Sequence, residues 1–135
     1  QAEKRPVRLV GPHAEGRRRN PDRVRAARIP VERYRGPLLV AGGGRDEVWP
    51  SAEMATAIAR ARRAAGLPTE LLVFPDAGHG LGGDGWSPIM AQVTNAADGA
   101  ALARARQRTW EATLALFARA LRPDAPATSH HAVAP

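Results

Sequence analysis

Two residues of this chain have the types and positions to do proton chemistry. His79 stands in "VFPDAGHGLGGDGW" (Val73 to Trp86), between glycines just past a short apolar run, where a ring has little to pack against. Asp46 stands in "GGRDEVWP" (Gly43 to Pro50), just past a second apolar run, "PLLVAGG" (Pro37 to Gly43). An imidazole takes up and returns a proton near neutral pH because its ordinary pKa lies there. A carboxylate hydrogen-bonded to its other nitrogen would hold the tautomer and stabilise the imidazolium. On spacing alone the plainer roles stay open: Asp46 as a turn residue, His79 as a loop residue. Asp76 and Asp84 are competing acids. Asp76 is too close in the chain to approach the ring from another strand, and Asp84 lies among glycines, so both read as loop residues.

The elements that must position these groups alternate. "PLLVAGG" is a continuous apolar run closed by glycines, the pattern of a strand buried on both faces. A helix is predicted from Ala52 to about Ala65, with Ser51 as N-cap and Glu53 near its positive end. Met54, Ile58 and Ala61 or Ala65 would form its apolar face, and Gly66 and Pro68 stop it. "ELLVFP" (Glu70 to Pro75) is the second strand. A long glycine-rich loop, Gly78 to Asn95, leads to a last helix, Gly99 to Leu121, with Trp110, Leu114, Phe117 and Leu121 at helical spacing. Upstream, "VRLV" (Val7 to Val10) reads as a short strand and "PDRVRAAR" (Pro21 to Arg28) as a short helix. Strand, helix, strand, helix is the order of an α/β fold with a parallel sheet. Reacting groups in such sheets gather beyond the carboxyl ends of the strands, where Asp46 and His79 both fall.

Composition narrows the chemistry. The 135 residues include no cysteine, which excludes disulfides, thiolate metal sites and a cysteine nucleophile; no metal site is expected. No apolar run approaches a membrane span. The net charge of +7 is confined to the first 35 residues, which hold eleven Lys and Arg against four acids; the rest holds nine of each. "GRRRNPDRVRAAR" (Gly16 to Arg28) has the charge to contact phosphates, but no aromatic residue interleaves the arginines as a stacking platform, so nucleic acid is not the expected partner.

"IPVERYRGPLLVAGGGRDEVWPSAEMATAI" (Ile29 to Ile58), followed by "FPDAGHG" (Phe74 to Gly80), resembles the C-terminal part of the acyl-CoA thioester hydrolase and bile acid-CoA:amino acid N-acyltransferase family. The resemblance covers about residues 29–121 and is densest at "IPVE", at Gly43, Asp46 and Trp49, and at "AGH". It implies an α/β-hydrolase-type doubly wound, mainly parallel sheet, here incomplete. It implies a triad in the order nucleophile, acid, histidine, with Asp46 the acid and His79 the base. The implied substrate is an acyl-CoA or other acyl ester, with no cofactor. Trp49 and Trp86 are candidates to line the acyl entrance, with packing as the competing role. The basic segment is a candidate contact for coenzyme A phosphates.

The chain departs from the family pattern in its nucleophile. Its three serines are Ser51 at a helix start, Ser87 before a proline and Ser129 near the C-terminus, none in a strand-turn-helix elbow. The chain starts at Gln1, and the expectation is a C-terminal portion whose nucleophile belongs to an upstream segment. Residues 1–28 stay unplaced, 29–121 form the hydrolase portion, and 122–135 are expected to be a disordered tail. The expected location is cytoplasmic. With so few strands the sheet keeps an unpaired apolar edge, so residues 30–121 are expected to need further strands for full stability. Two other functions compete: a non-catalytic interaction module derived from a hydrolase, and a nucleic-acid-binding protein acting through Arg17 to Arg28.

Overall fold

The structure, a computed structural model, describes residues 8–84 and 99–122. In chain order it contains α1 (Val10–Arg19), α2 (Pro21–Ala26), a 3-10 turn (Val31–Arg33), β1 (Leu38–Gly43), α3 (Ser51–Ala64), β2 (Thr69–Phe74) and α4 (Gly99–Ala120). The strands pair in parallel, from Leu38 opposite Thr69 to Gly43 opposite Phe74. The fold is therefore α/β with a two-stranded parallel sheet among the described residues. Trp86, Ser87, Ser129, most of the glycine-rich loop and residues 123–135 lie outside the described residues.

The apolar runs form strands, but β1 is not buried on both faces as its composition suggests. Leu38 to Ala41 are half-buried and only Gly42 and Gly43 are buried. α3 packs on both strands, while α4 lies against β1 and touches β2 through Phe74 and the Arg119–Glu70 pair. An apolar run reports that a strand lies inside a sheet; it does not report how many layers cover it.

α3 differs from its predicted form in two ways. Ser51 is the first helical residue after Pro50 and makes no N-cap bond. Its hydroxyl instead accepts from the Gly43 N–H at 3.1 Å and faces the Gly43 carbonyl at 3.3 Å, tying the helix start to the end of β1. The buried face is Ala55, Ala59 and Arg62, whereas Met54 is exposed. The face is rotated by one residue because alanine methyls let the helix lie close to the sheet. Gly66, at φ 69°, closes the helix, as the sequence predicts.

Arg62 is fully buried and, among the described residues, pairs with no carboxylate. Its Nε donates to Thr69 Oγ1 at 2.9 Å. Its terminal nitrogens donate to the carbonyls of Val31, Tyr34, Gly36 and Pro68 at 2.5–3.2 Å. Five N–H groups thus meet five acceptors, and the guanidinium stacks 5.4 Å from the Tyr34 ring centre. One side chain joins the 3-10 turn, the entry to β1, α3 and the start of β2.

α4 packs through Leu102, Ala105 and Arg106 and, farther along, Ala112. Leu102 and Ala105 bury Ala77 beside Phe74 and Leu81, so this helix backs the loop that carries His79. Trp110, Leu114, Phe117 and Leu121, the stripe expected to face the core, are exposed, Phe117 by 52% and Leu121 by 77%. Helical spacing identifies an apolar face but not what covers it. Among the described residues there is no third strand beneath that stripe.

The N-terminal "VRLV" does not form a strand over residues 8–10. The Leu9 and Val10 amides both donate to the Glu47 carbonyl at 2.8 Å, which seats the start of α1 on the loop after β1. The arginine-rich segment forms α1 and α2, and much of its charge is met locally. Arg18 and Arg19 pair with Glu15, Arg25 with Asp22, and Arg28 with Glu32.

The two strand ends come together because Gly43 and Gly44 have no Cβ. A Cβ on Gly43 would lie 2.5 Å from the Ala77 carbonyl and 2.6 Å from that of Gly78, and one on Gly44 would lie 2.5 Å from the Pro75 carbonyl. Backbone cannot yield as a side chain tip does. Gly43→Ala is expected to lower the unfolding free energy by about 1–3 kcal/mol. Gly82→Ala, where a Cβ would meet open space, is the control. Urea unfolding of both variants measures the difference.

Candidate active site

β1 and β2 end level, so the segments after them leave from the same edge. The Gly44 amide donates to the Phe74 carbonyl at 2.9 Å and the Arg45 amide to the Ala77 carbonyl at 2.9 Å. These bonds zip the loop after β1 onto the loop after β2. Thirty-three residues apart in the chain, Asp46 and His79 face each other there, with His79 Nδ1 3.1 Å from Asp46 Oδ2 and 3.2 Å from Oδ1.

Asp46 is 7% exposed and its carboxylate is well satisfied. Oδ1 accepts from the amides of Val48 at 2.8 Å and Trp49 at 3.0 Å. This is an Asx turn, so the turn role and the contact with His79 belong to the same carboxylate. Burial pushes the Asp46 pKa up. Hydrogen bonds from the Trp49 amide, the Ser51 hydroxyl, His79 and the Val48 amide outweigh burial and hold it below the usual carboxylate range. The group is therefore an anion in the folded protein near neutral pH.

A lowered carboxyl pKa stabilises the fold above the unfolded-state value, near pH 4, because the unfolded chain binds the proton more readily. That contribution is fully present at neutral pH and is lost as pH falls through the folded-state value. Below about pH 4 the unfolding free energy of the native chain should fall more steeply than that of Asp46→Asn. Urea unfolding across that range tests it; parallel curves would contradict the assignment.

The His79 side chain is 27% exposed. With Nδ1 against the carboxylate, Nε2 is the nitrogen left for chemistry. Trp49 stands beside it, ring centres 6.5 Å apart, and on its other side meets His13 of α1 at 4.3 Å. The structure thus brings Trp49 to the pair and adds His13, which no sequence signal marks, because only the seating of α1 on Glu47 puts it there. Asp76 pairs with Arg45 at 3.3 Å, both largely exposed, and is not the partner of His79. Ser51 directs its hydroxyl to Gly43 and Asp46, not to His79. Among the described residues no three His, Asp or Glu side chains cluster to hold a metal ion. No helix among them is long and apolar enough to cross a membrane.

Residues 14–123 match the family model for the C-terminal domain of BAAT and acyl-CoA thioester hydrolases. The chain belongs to that family. Its match to the BAAT and acyl-CoA thioester hydrolase C-terminal domain begins within α1 and runs past α4, so it spans both strand ends and the loops bearing Asp46 and His79. No curated protein and no solved structure matches the chain significantly.

Proposed function

We propose that this chain is the C-terminal portion of an acyl-CoA thioester hydrolase or acyltransferase of the α/β-hydrolase type, supplying the acid and the histidine of a triad. The observation that carries the reading is the Asp46–His79 contact at 3.1 Å beyond the level ends of two parallel strands. The nucleophile comes from residues outside this sequence, on further strands that extend the small sheet toward the doubly wound form. His79 Nδ1–H donates to the Asp46 carboxylate, which leaves the Nε2 lone pair free. Nε2 takes the proton of the nucleophile as it attacks the thioester carbonyl. The imidazolium returns that proton to the departing coenzyme A thiolate, and the acyl group stays on the nucleophile. Water or an amine, deprotonated by Nε2 in turn, then releases the acyl group. Trp49, beside His79, is placed to border the acyl entrance.

The reading has a direct test. The 135-residue chain alone should cleave acyl-CoA no faster than background, and joining it to a segment bearing a nucleophile elbow should restore turnover. Thiol release followed with a chromogenic disulfide measures both. Turnover by the isolated chain would refute the claim that the nucleophile lies elsewhere.

A further inference from the structure

Between α1 and α2 lies a shallow, open groove of about 380 Å³ that the triad does not use. His13, Gly16 and Arg17 line it from α1, and Arg23, Val24 and Ala27 from α2. Its walls are mixed: an apolar surface that suits a heterocycle, and two guanidinium groups that suit phosphate. Arg23 has no ion-pair partner among the described residues, although its neighbours Arg18, Arg19, Arg25 and Arg28 are all paired. Arg17 has only an exposed contact with Glu53 at 3.5 Å, a pairing that a phosphate can displace at little cost. Gly16 lines the groove, and a Cβ there would meet nothing within 4 Å, so a large side chain has room to extend from it. The groove also connects to the catalytic pair. His13, on its wall, stacks on Trp49, and Trp49 flanks His79.

We propose that the α1–α2 groove seats the phosphorylated adenosine end of the coenzyme A thioester, its pantetheine arm running over His13 and Trp49 to His79. The inference rests on the acyl-CoA reading above and adds the place where the nucleotide is held. Val24 and Ala27 pack on the base, while Arg17 and Arg23 meet the phosphates. The arginines that point elsewhere are neutralised by Glu15, Asp22 and Glu32, so recognition falls to the two that face the groove.

Calorimetric titration of the full chain with coenzyme A, adenosine 3′,5′-bisphosphate and pantetheine tests the seat without any need for turnover. The two nucleotides should bind and pantetheine should not. Gly16→Leu fills the groove while favouring the helix, and Arg23→Glu reverses a charge that holds no partner. Each should weaken nucleotide binding at least about tenfold, the scale of one charge-assisted hydrogen bond. Arg63→Glu, an exposed arginine of α3 outside the groove, should change it less than about twofold. Wild-type affinity in both groove variants overturns the proposal. So does an equal loss in Arg63→Glu, which would mean diffuse charge, or equal competition by a short single-stranded RNA, which would mean a nucleic-acid surface. The catalytic reading fails separately, because cleavage of a pantetheine thioester by the reconstituted enzyme depends on His79 and not on Gly16 or Arg23.

Discussion

His79→Ala, in the chain joined to a segment bearing the proposed nucleophile, is expected to lower kcat for acyl-CoA cleavage by about a thousandfold or more. The side chain is partly exposed and contributes no packing to the apolar cluster behind its loop, so the variant should fold and bind substrate normally. Asp46→Asn should approach the same loss by a different route. The asparagine carbonyl can still accept from the Val48 and Trp49 amides, so the turn survives. What changes is the partner of the ring. An amide can donate to Nδ1 and hold the imidazole in the tautomer that carries its proton on Nε2, where it cannot act as a base. The two variants should share unchanged KM and depressed kcat, measured by thiol release over a range of substrate concentrations. A His79→Ala enzyme keeping a tenth of the native rate would remove His79 from the mechanism.

Arg62→Met should cost the most stability, at least about 4 kcal/mol. Replacing a buried ion pair by apolar residues is often neutral, because both charges leave together. That escape is closed here. The partners of Arg62 are four backbone carbonyls and the Thr69 hydroxyl, which remain buried when the guanidinium goes. Each orphaned acceptor costs about 1–3 kcal/mol, against a total stability of about 5–15 kcal/mol for a domain. Arg62→Lys keeps the charge but offers three donors in place of five and should recover only part of the loss. Urea or thermal unfolding reads both variants; a loss below about 1 kcal/mol in Arg62→Met would show that the carbonyls find other partners.

The exposed stripe of α4 and the narrow sheet share one physical origin. Trp110, Leu114, Phe117 and Leu121 have the spacing of a buried face, yet all four are exposed, while Leu102 and Ala105 pack on Ala77, Phe74 and Leu81. Apolar surface of this kind is what added strands would cover in the doubly wound form proposed here.

Periodicity and punctuation in the amino-acid sequence sufficed for the order of the elements from β1 onward and for the last helix, because apolar runs and glycine or proline stops act locally. They also placed Asp46 and His79 beyond strand ends, since a parallel sheet sends both loops to one edge. Tertiary structure alone decided the rest. The contact between those side chains depends on Gly43 and Gly44 letting two backbones touch, and β1 gives no sign in its own residues of what it must approach. The buried face of α3 turned by one position because a small methyl packs closer than a thioether. Arg62, polar on any local reading, became the most buried large side chain because its acceptors come from segments as far as 31 residues away. Leu9 and Val10 start a helix, as its cap and first residue, and not a strand, because the Glu47 carbonyl took both of their amides, and that seating brought His13 to Trp49. Local pattern reports what a segment can bury or turn; which partner satisfies it is a long-range property.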